Sequence, residues 1–362
     1  MSVNAPPSEQ RNISLIEEKV NNDIDIGVIG CGYWGPKLAR NIDQIPDANL
    51  VMVSDLRQER LEEFKELYPD IEITTNYKEL LENNLDAVLI ATPVNTHYPL
   101  AKDALQAGKH VLVEKPITSD STQAQELVDL AAARGLTLMV GHTFEFNPAV
   151  EAVREVIQSG ELGEIYYLNS TRVNLGLLQP DINVMWDLAP HDLSILRFIL
   201  DSNPIRVSAR GGAYVNTVRN LHEVVYMTVF FDNGAMANLR LSWLDPVKQR
   251  RLTVVGSKKM LVYDDIAEDK VVVYDKGVEV PPYSVTENEF HASYRHGEEI
   301  VVPYEWVEPL RSECSHFIDC IRTGSIPRSS GEVGTRILKV LETAQRSLLN
   351  GGVELTVEYG DK

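Results

Sequence analysis

Cysteine is scarce in this chain: Cys31, Cys314 and Cys320 are the three in a length of 362 residues. The number is odd and the spacing fits no metal-binding pattern. The sequence therefore predicts free thiols in a reducing cytoplasm rather than a disulfide framework. Basic residues are in deficit, with 34 Lys and Arg against 53 Asp and Glu, a net charge of −19. Such a chain repels polyphosphate at long range, so nucleic acid is not an expected partner. A small phosphorylated ligand remains open, because a few arginines and helix N-termini bind one locally. No uninterrupted apolar run approaches a membrane span, and no membrane partner is expected. Residues 1–22 are polar, carry Pro6, Pro7, Glu17 and Glu18, and lack an apolar signal core. They read as a flexible, peripheral tail. There is no internal repeat and no low-complexity segment.

What is present suits a soluble chain of two domains. Hydrophobic residues make up 44% and charged residues 24%, and the length is enough for two cores. From residue 23 to 142, short β-rich runs alternate with stretches of helical spacing. The runs are Ile24–Ile29, Leu50–Ser54, Ile71–Thr74, Ala87–Ala91, His110–Val113 and Thr137–Val140. The helical stretches are Gly35–Gln44, Arg57–Tyr68, Tyr77–Glu82, Thr96–Ala107 and Ser119–Arg134. This alternation predicts βαβ units and a parallel sheet, and the continuous apolar runs predict that both its faces are covered.

From residue 143 to 362 the pattern changes. Helices are expected at Pro148–Ser159, Met185–Leu200, Glu308–Arg322 and Gly331–Leu349, the last two packing back on the first domain. Between them run alternating segments, with Asp232-Asn233-Gly234 as a hairpin turn. The expectation is an α+β domain with an open, mostly antiparallel sheet. Its uncovered face would be apolar and would pair in a dimer or tetramer.

Three stretches carry chemistry. In "IGVIGCGYWGPKLARN", Gly30, Gly32 and Gly35 follow a strand and open a helix. That spacing permits a tight turn, close approach to a pyrophosphate and close helix–strand packing, with a helix N-terminus facing the phosphates. Asp55, after the second strand, suits the two ribose hydroxyls of NAD, while Arg57 leaves room for NADP. Pro36 is tolerable in a first turn, which needs no N–H. In "VLVEKPIT", Lys115 stands at the C-terminal end of the fifth strand, where open parallel sheets bind ligands. In "MWDLAPHDL", Asp187 and His191 are four apart on one helical face. Pro190 there predicts an irregular or late helix start and an extended Ala189.

Taken together, "GVIGCGYWG", "ATPVNTHYPLA", "VLVEKP" and "WDLAPHD" resemble the Gfo/Idh/MocA oxidoreductases in order and spacing. The resemblance spans nearly all of the chain after the tail. It implies an N-terminal Rossmann domain, a C-terminal α+β domain whose sheet forms an oligomer interface, and NAD or NADP. It also implies the oxidation or reduction of a secondary carbinol on a sugar or cyclitol. Carried over by position, Lys115 and His191 are the catalytic candidates, with Asp187 as helper or substrate ligand. The imidazole would take the carbinol proton and the ammonium would stabilise the alkoxide. Cofactor contacts fall on Gly30, Gly32, Tyr33, Trp34, Gly35, Asp55, Arg57, Thr92, Pro93, Asn95, His97, Glu114 and Lys115. Asn95 and His97 are expected near the nicotinamide ribose.

Substrate contacts fall on Phe144, Asn147, Arg172, Asn174, Asp187 and His191. His142 either joins them or is a buried structural histidine, and Trp186 is expected in the core. His110, His222, His291, His296 and His316 show no ligand spacing, so no metal site is expected. The glycine loop and "WDLAPHDLSIL" look most like the nucleotide-sugar branch, which acts at the 3-position of a UDP-linked N-acetylhexosamine or its uronic acid. Arg172, Lys248, Arg250 and Arg251 are candidate phosphate ligands or surface charges. The rivals are an inositol or free-sugar dehydrogenase, an NAD-dependent glycosidase, and a non-catalytic NAD-binding regulator. The proton-relay residues argue against the regulator.

Overall fold

The structure, a computed structural model, describes residues 23–279 and 292–360. The expected tail 1–22 and His291 lie outside the described residues. Eleven elements build the first sheet and its helices: β1 (Ile24–Ile29), α1 (Gly35–Asp43), β2 (Ala48–Ser54), α2 (Gln58–Leu67), β3 (Glu72–Thr74), α3 (Tyr77–Glu82), β4 (Ala87–Ile90), α4 (His97–Gln106), β5 (His110–Glu114), α5 (Ser121–Arg134) and β6 (Leu138–Gly141). The strands are parallel in the order β3-β2-β1-β4-β5-β6. The order reverses direction at β1/β4, the crevice where such sheets bind dinucleotides. All four residues of β4 and of β6 are buried, which is why these strands read as continuous apolar runs.

The second sheet follows with α6 (Pro148–Gln158), β7 (Ile165–Leu175), α7 (Val184–Leu200), β8 (Pro204–Gly212), β9 (Val224–Phe231), β10 (Met236–Ser242), β11 (Leu244–Gly256), β12 (Met260–Asp264), β13 (Val271–Glu279) and β14 (Ser293–Val301). It ends with α8 (Pro309–Thr323), α9 (Gly331–Leu349) and β15 (Leu355–Thr356). The strand order is β14-β13-β12-β11-β7-β10-β9-β8-β15, and β7/β10 is the parallel pair in an otherwise antiparallel sheet. Burial alternates along β9, so one face is covered by α6, α7 and α9 and the other is open. The open face is mixed rather than uniformly apolar: Phe230, Met260, Val262 and Val272 are on it, but polar and charged residues occupy its middle. Asn169, Thr171, Arg210, Thr228, Asn238, Arg240 and Arg251 line it, with Tyr226.

One further expectation fails. Pro190 neither delays α7 nor leaves Ala189 extended; the helix runs unbroken through both. Asn183 caps it by accepting hydrogen bonds from the Met185 and Trp186 amides at 3.1 and 3.2 Å. An interior proline costs roughly 3 kcal/mol. Burying a Leu, Ile or Phe side chain returns about 1.5–3 kcal/mol each, and Leu193, Leu196, Phe198 and Ile199 are all buried. The alternating segment Arg251–Val255 forms a strand, but as the end of a longer one, because β11 begins at Leu244 and pairs with β7 on both sides of an irregularity. That extension carries Lys248 and Arg250 to the cleft described below.

The C-terminal helices return to the first sheet. α8 packs on α1, with Leu38, Ile42, Phe317 and Ile318 in one core cluster. α9 packs on α5, β6, α7 and β8. The Val140 amide donates to the Ser329 carbonyl at 2.8 Å. Val113, Ile117, Val140, Leu193, Ile337 and Leu341 share a second core cluster.

Candidate active site

The β1–α1 turn shows why its glycines are there. Gly30 has φ +104°, and a Cβ on it would lie 2.6 Å from the Ala91 carbonyl oxygen. A Cβ on Gly35 would lie 1.9 Å from the Gly30 carbonyl oxygen. No side chain caps α1 at Trp34 and no acid occupies its first turn, so its N-terminal dipole is left for an anion. Beside the turn is a cavity of about 710 Å³ lined by Gly30, Gly32, Asp55, Arg57, Thr92, Pro93 and Asn95. Asp55 accepts from the Cys31 amide at 2.7 Å and from Arg57 Nε at 3.0 Å. Partial burial works to raise the Asp55 carboxyl, but the Arg57 side chain and the Cys31 and Arg57 amides outweigh it and hold it below its ordinary value. Burial and the Asp55 charge push the Cys31 thiol up to about 12, so it is inert.

A second cavity, about 440 Å³, opens between the sheets and is lined by Tyr33, Trp34, Glu114, Lys115, Phe144, Asn147, Arg172, Asn174, His191, Lys248 and Arg250. Lys115 ends β5. Its Nζ donates to the Asp187 carbonyl oxygen at 3.1 Å and lies 3.8 Å from Asp187 Oδ1. Burial lowers the Lys115 pKa, against the pull of Asp187 and Glu114. Glu114 accepts from the Lys115 amide at 3.2 Å and is pushed up to about 7 by burial. Asp187 also accepts from Trp243 Nε1 at 3.3 Å.

His191 sits one turn further along α7, with its ring edge-on to Phe144 at 5.2 Å. Its Nδ1 is buried without a partner. Burial, then the neighbouring Lys115 and Arg172 charges, holds it well below its ordinary pKa, so the ring is neutral near neutral pH. Arg172 is itself buried. Its Nε donates to Asp192 at 2.8 Å, the Ser170 hydroxyl donates to the same carboxylate at 2.8 Å, and its guanidinium lies 4.7 Å from the Phe144 ring centroid.

The structure thus brings Lys115, His191, Phe144, Arg172 and Asn174 around one cleft, whereas Asp187, expected as a substrate ligand, does not line it and is joined to it through Lys115. Asn147 lines it, but its side chain is buried and caps α6 by accepting from the Ala149 amide at 2.9 Å. His142 is the buried alternative: it is 2% exposed, lines neither cavity, and burial takes it down to about 3. His97 also lines neither cavity; it is 1% exposed. Of the basic cluster, Arg251 faces the open side of the sheet.

Sequence reasoning missed Asp192, Trp243 and the partner of Asp187. Asp192 had a signal, an acid on the apolar side of a buried helix, whereas Trp243 is joined to the site only by the fold. Among the described residues, no group of three or more His, Cys, Asp or Glu side chains could hold a metal ion. Among them, no helix is long and apolar enough to cross a membrane.

Residues 24–142 match an oxidoreductase family profile with an NAD-binding Rossmann fold, and residues 150–262 match the GFO/IDH/MocA C-terminal domain. The chain is 31% identical over 264 residues to the UDP-N-acetylglucosamine 3-dehydrogenase of Acidithiobacillus ferrooxidans, covering 71% of this chain and 78% of that one. It is 28% identical over 334 residues to the myo-inositol 2-dehydrogenase of Thermotoga maritima, covering 89% and 96%. A crystal structure of the Acidithiobacillus enzyme superposes with a TM-score of 0.76 at 26% identity, over 90% of this chain and 97% of that one.

Proposed function

The chain belongs to the Gfo/Idh/MocA family of NAD(P)-dependent oxidoreductases that act on CH–OH groups, and on that premise we propose that it interconverts a secondary alcohol and a ketone on a sugar, at C3 of a nucleotide-linked sugar. The observation that carries the reading is the convergence of Lys115 and His191 on one cleft beside the coenzyme cavity.

Gly30, Gly32 and Asp55, with the N-terminus of α1, would hold the dinucleotide, and Thr92, Pro93 and Asn95 would line its loop. When bound, the nicotinamide supplies or accepts the hydride. The chain handles the proton. His191, neutral near pH 7, accepts it from the carbinol hydroxyl in the oxidative direction and returns it in the reverse. Lys115 donates a hydrogen bond to the same oxygen and stabilises developing negative charge, worth a few kcal/mol in a water-poor site. Asp187 keeps the ammonium charged against burial. Arg57 is turned onto Asp55, which favours NAD over NADP.

Lys248, Arg250 and Arg172 form a basic rim to the cleft of a chain with net charge −19, with Arg250 also paired to Asp265 and Arg172 to Asp192. That rim favours a substrate with a diphosphate. The longer match to an inositol dehydrogenase supports a second reading, a cyclitol as substrate, for which the rim has no task. Assembly as a dimer or tetramer through the open face of the second sheet, in the cytoplasm, completes the proposal. Light scattering on the purified chain tests the assembly.

The test of function is incubation with NAD and, separately, UDP-sugars, free sugars and inositols, following NADH absorbance and product masses. NADH formed with a UDP-sugar supports the reading. NADH with inositol alone moves the substrate to cyclitols. Release of a free sugar without NADH points to the glycosidase chemistry instead.

A further inference from the structure

His97 opens α4, immediately after the coenzyme loop, yet its side chain faces inward. Its Nε2 lies 2.8 Å from the Thr92 carbonyl oxygen, and its Nδ1 lies 2.8 Å from the Pro116 carbonyl oxygen. Those two carbonyls belong to different parts of the site. Thr92 lines the coenzyme cavity and is held further by the Thr96 hydroxyl, which donates to its Oγ1 at 2.7 Å. Pro116 directly follows Lys115, which lines the other cavity. One buried ring therefore spans the wall between them, from the end of β4 to the end of β5. A carbonyl buried without a donor is costly, so both contacts constrain the backbone that makes them. A neutral ring donates to one carbonyl at a time. Burial disfavours the doubly protonated ring, while both carbonyls favour it.

We propose that His97 is a positioning residue, a strut that fixes the coenzyme loop at Thr92 relative to the lysine strand at Pro116 and so sets where the Lys115 ammonium stands. This rests on the reading of Lys115 as the group that meets the substrate oxygen. It assigns the histidine no contact with coenzyme or substrate, in contrast to its expected place beside the ribose. Doubly protonated, the ring donates to both carbonyls, and its two nitrogens then have separable tasks. Nε2 governs the coenzyme loop, and Nδ1 governs the lysine.

Two substitutions in the full chain separate those tasks. The amide nitrogen of asparagine reproduces Nδ1, and that of glutamine reproduces Nε2. His97→Asn keeps a donor for Pro116 and loses the one for Thr92. The dissociation constant for NADH, read by its fluorescence, should rise roughly tenfold, with faster amide exchange confined to residues 91–96. His97→Gln keeps the donor for Thr92. Its kcat should fall roughly tenfold with a smaller change in NADH affinity, and faster exchange should appear in residues 112–118. In the wild type, the His97 ring proton should exchange slowly in long-range ¹⁵N–¹H spectra. Equal proportional losses in both variants, no change in either, or a freely exchanging ring would overturn the strut. NADH binding and amide exchange require no sugar. A wild type that binds NADH but oxidises nothing in the sugar panel refutes the proposed reaction while these readings still judge His97.

Discussion

Asp187 directs its carboxylate to Lys115, 3.8 Å from Nζ, and not to His191, with which it shares a face of α7. The two ends of the Asp-x-x-x-His motif thus serve different groups. The acid supports an ammonium delivered from the other sheet, and the histidine is left neutral and open to the cleft. This division governs what substitution should do.

Lys115→Ala and His191→Ala should each lower kcat by about 10²–10⁴ while leaving NADH binding intact. Steady-state turnover and NADH fluorescence decide it, and near-normal rates in both variants reject the assignment. Because His191 titrates well below 6.5, the oxidative kcat/KM should show no histidine limb near that pH.

Asp187→Asn removes a charge that raises the Lys115 pKa. The lysine then loses its proton at lower pH. The alkaline limb of kcat/KM should move toward neutrality, and the rate at neutral pH should fall. A pH–rate profile reads both, and an unmoved alkaline limb contradicts the pairing.

Asp192→Ala leaves the Arg172 guanidinium buried without its carboxylate, since the two side chains are 7% and 5% exposed. Breaking such a pair from one side costs about 3–5 kcal/mol. Urea denaturation should show that loss, and KM for the sugar should rise as Arg172 shifts. A variant as stable as the parent would mean that the pair contributes little.

Glu145 is buried with both carboxyl oxygens unpartnered, and burial pushes it up to about 8 from 4.5. The unfolded chain gives up this proton before the folded one does, so folding loses stability as pH rises from about 4.5 to about 8. Glu145→Gln should therefore flatten the fall in thermal midpoint over that window. An equal fall in variant and parent would show that Glu145 does not titrate there.

Much of this was legible because one residue type had one physical reason to be where it is. Gly30 and Gly35 announce a turn that other side chains would block, and the unbroken apolar runs of β4 and β6 announce a covered sheet. The α9 helix reads at its true limits because Ser330 caps it, accepting a hydrogen bond from the Val333 amide. What escaped notice depends on neighbours distant in sequence. β14 has exposed residues at eight of its nine positions and exists by pairing with β13. The proline in α7 is overridden by tertiary burial. The partner of Asp187 lies 72 positions away at Lys115, and no local pattern joins them.

The α9 helix lines neither cavity, yet it splints the cleft between the two sheets. Gln345 on it accepts from Asn183 and Trp186 at the start of α7, at 2.8 and 3.0 Å, while Gly331 sits so close to Leu138 of β6 that a Cβ would lie 2.7 Å away. A segment more than a hundred residues downstream thus ties the histidine-bearing helix to β6, the strand that pairs with the lysine-bearing β5. Anyone grafting a relative's nucleotide-binding half onto this chain must transplant residues 331–349 along with it, or Lys115 and His191 will be delivered to different places.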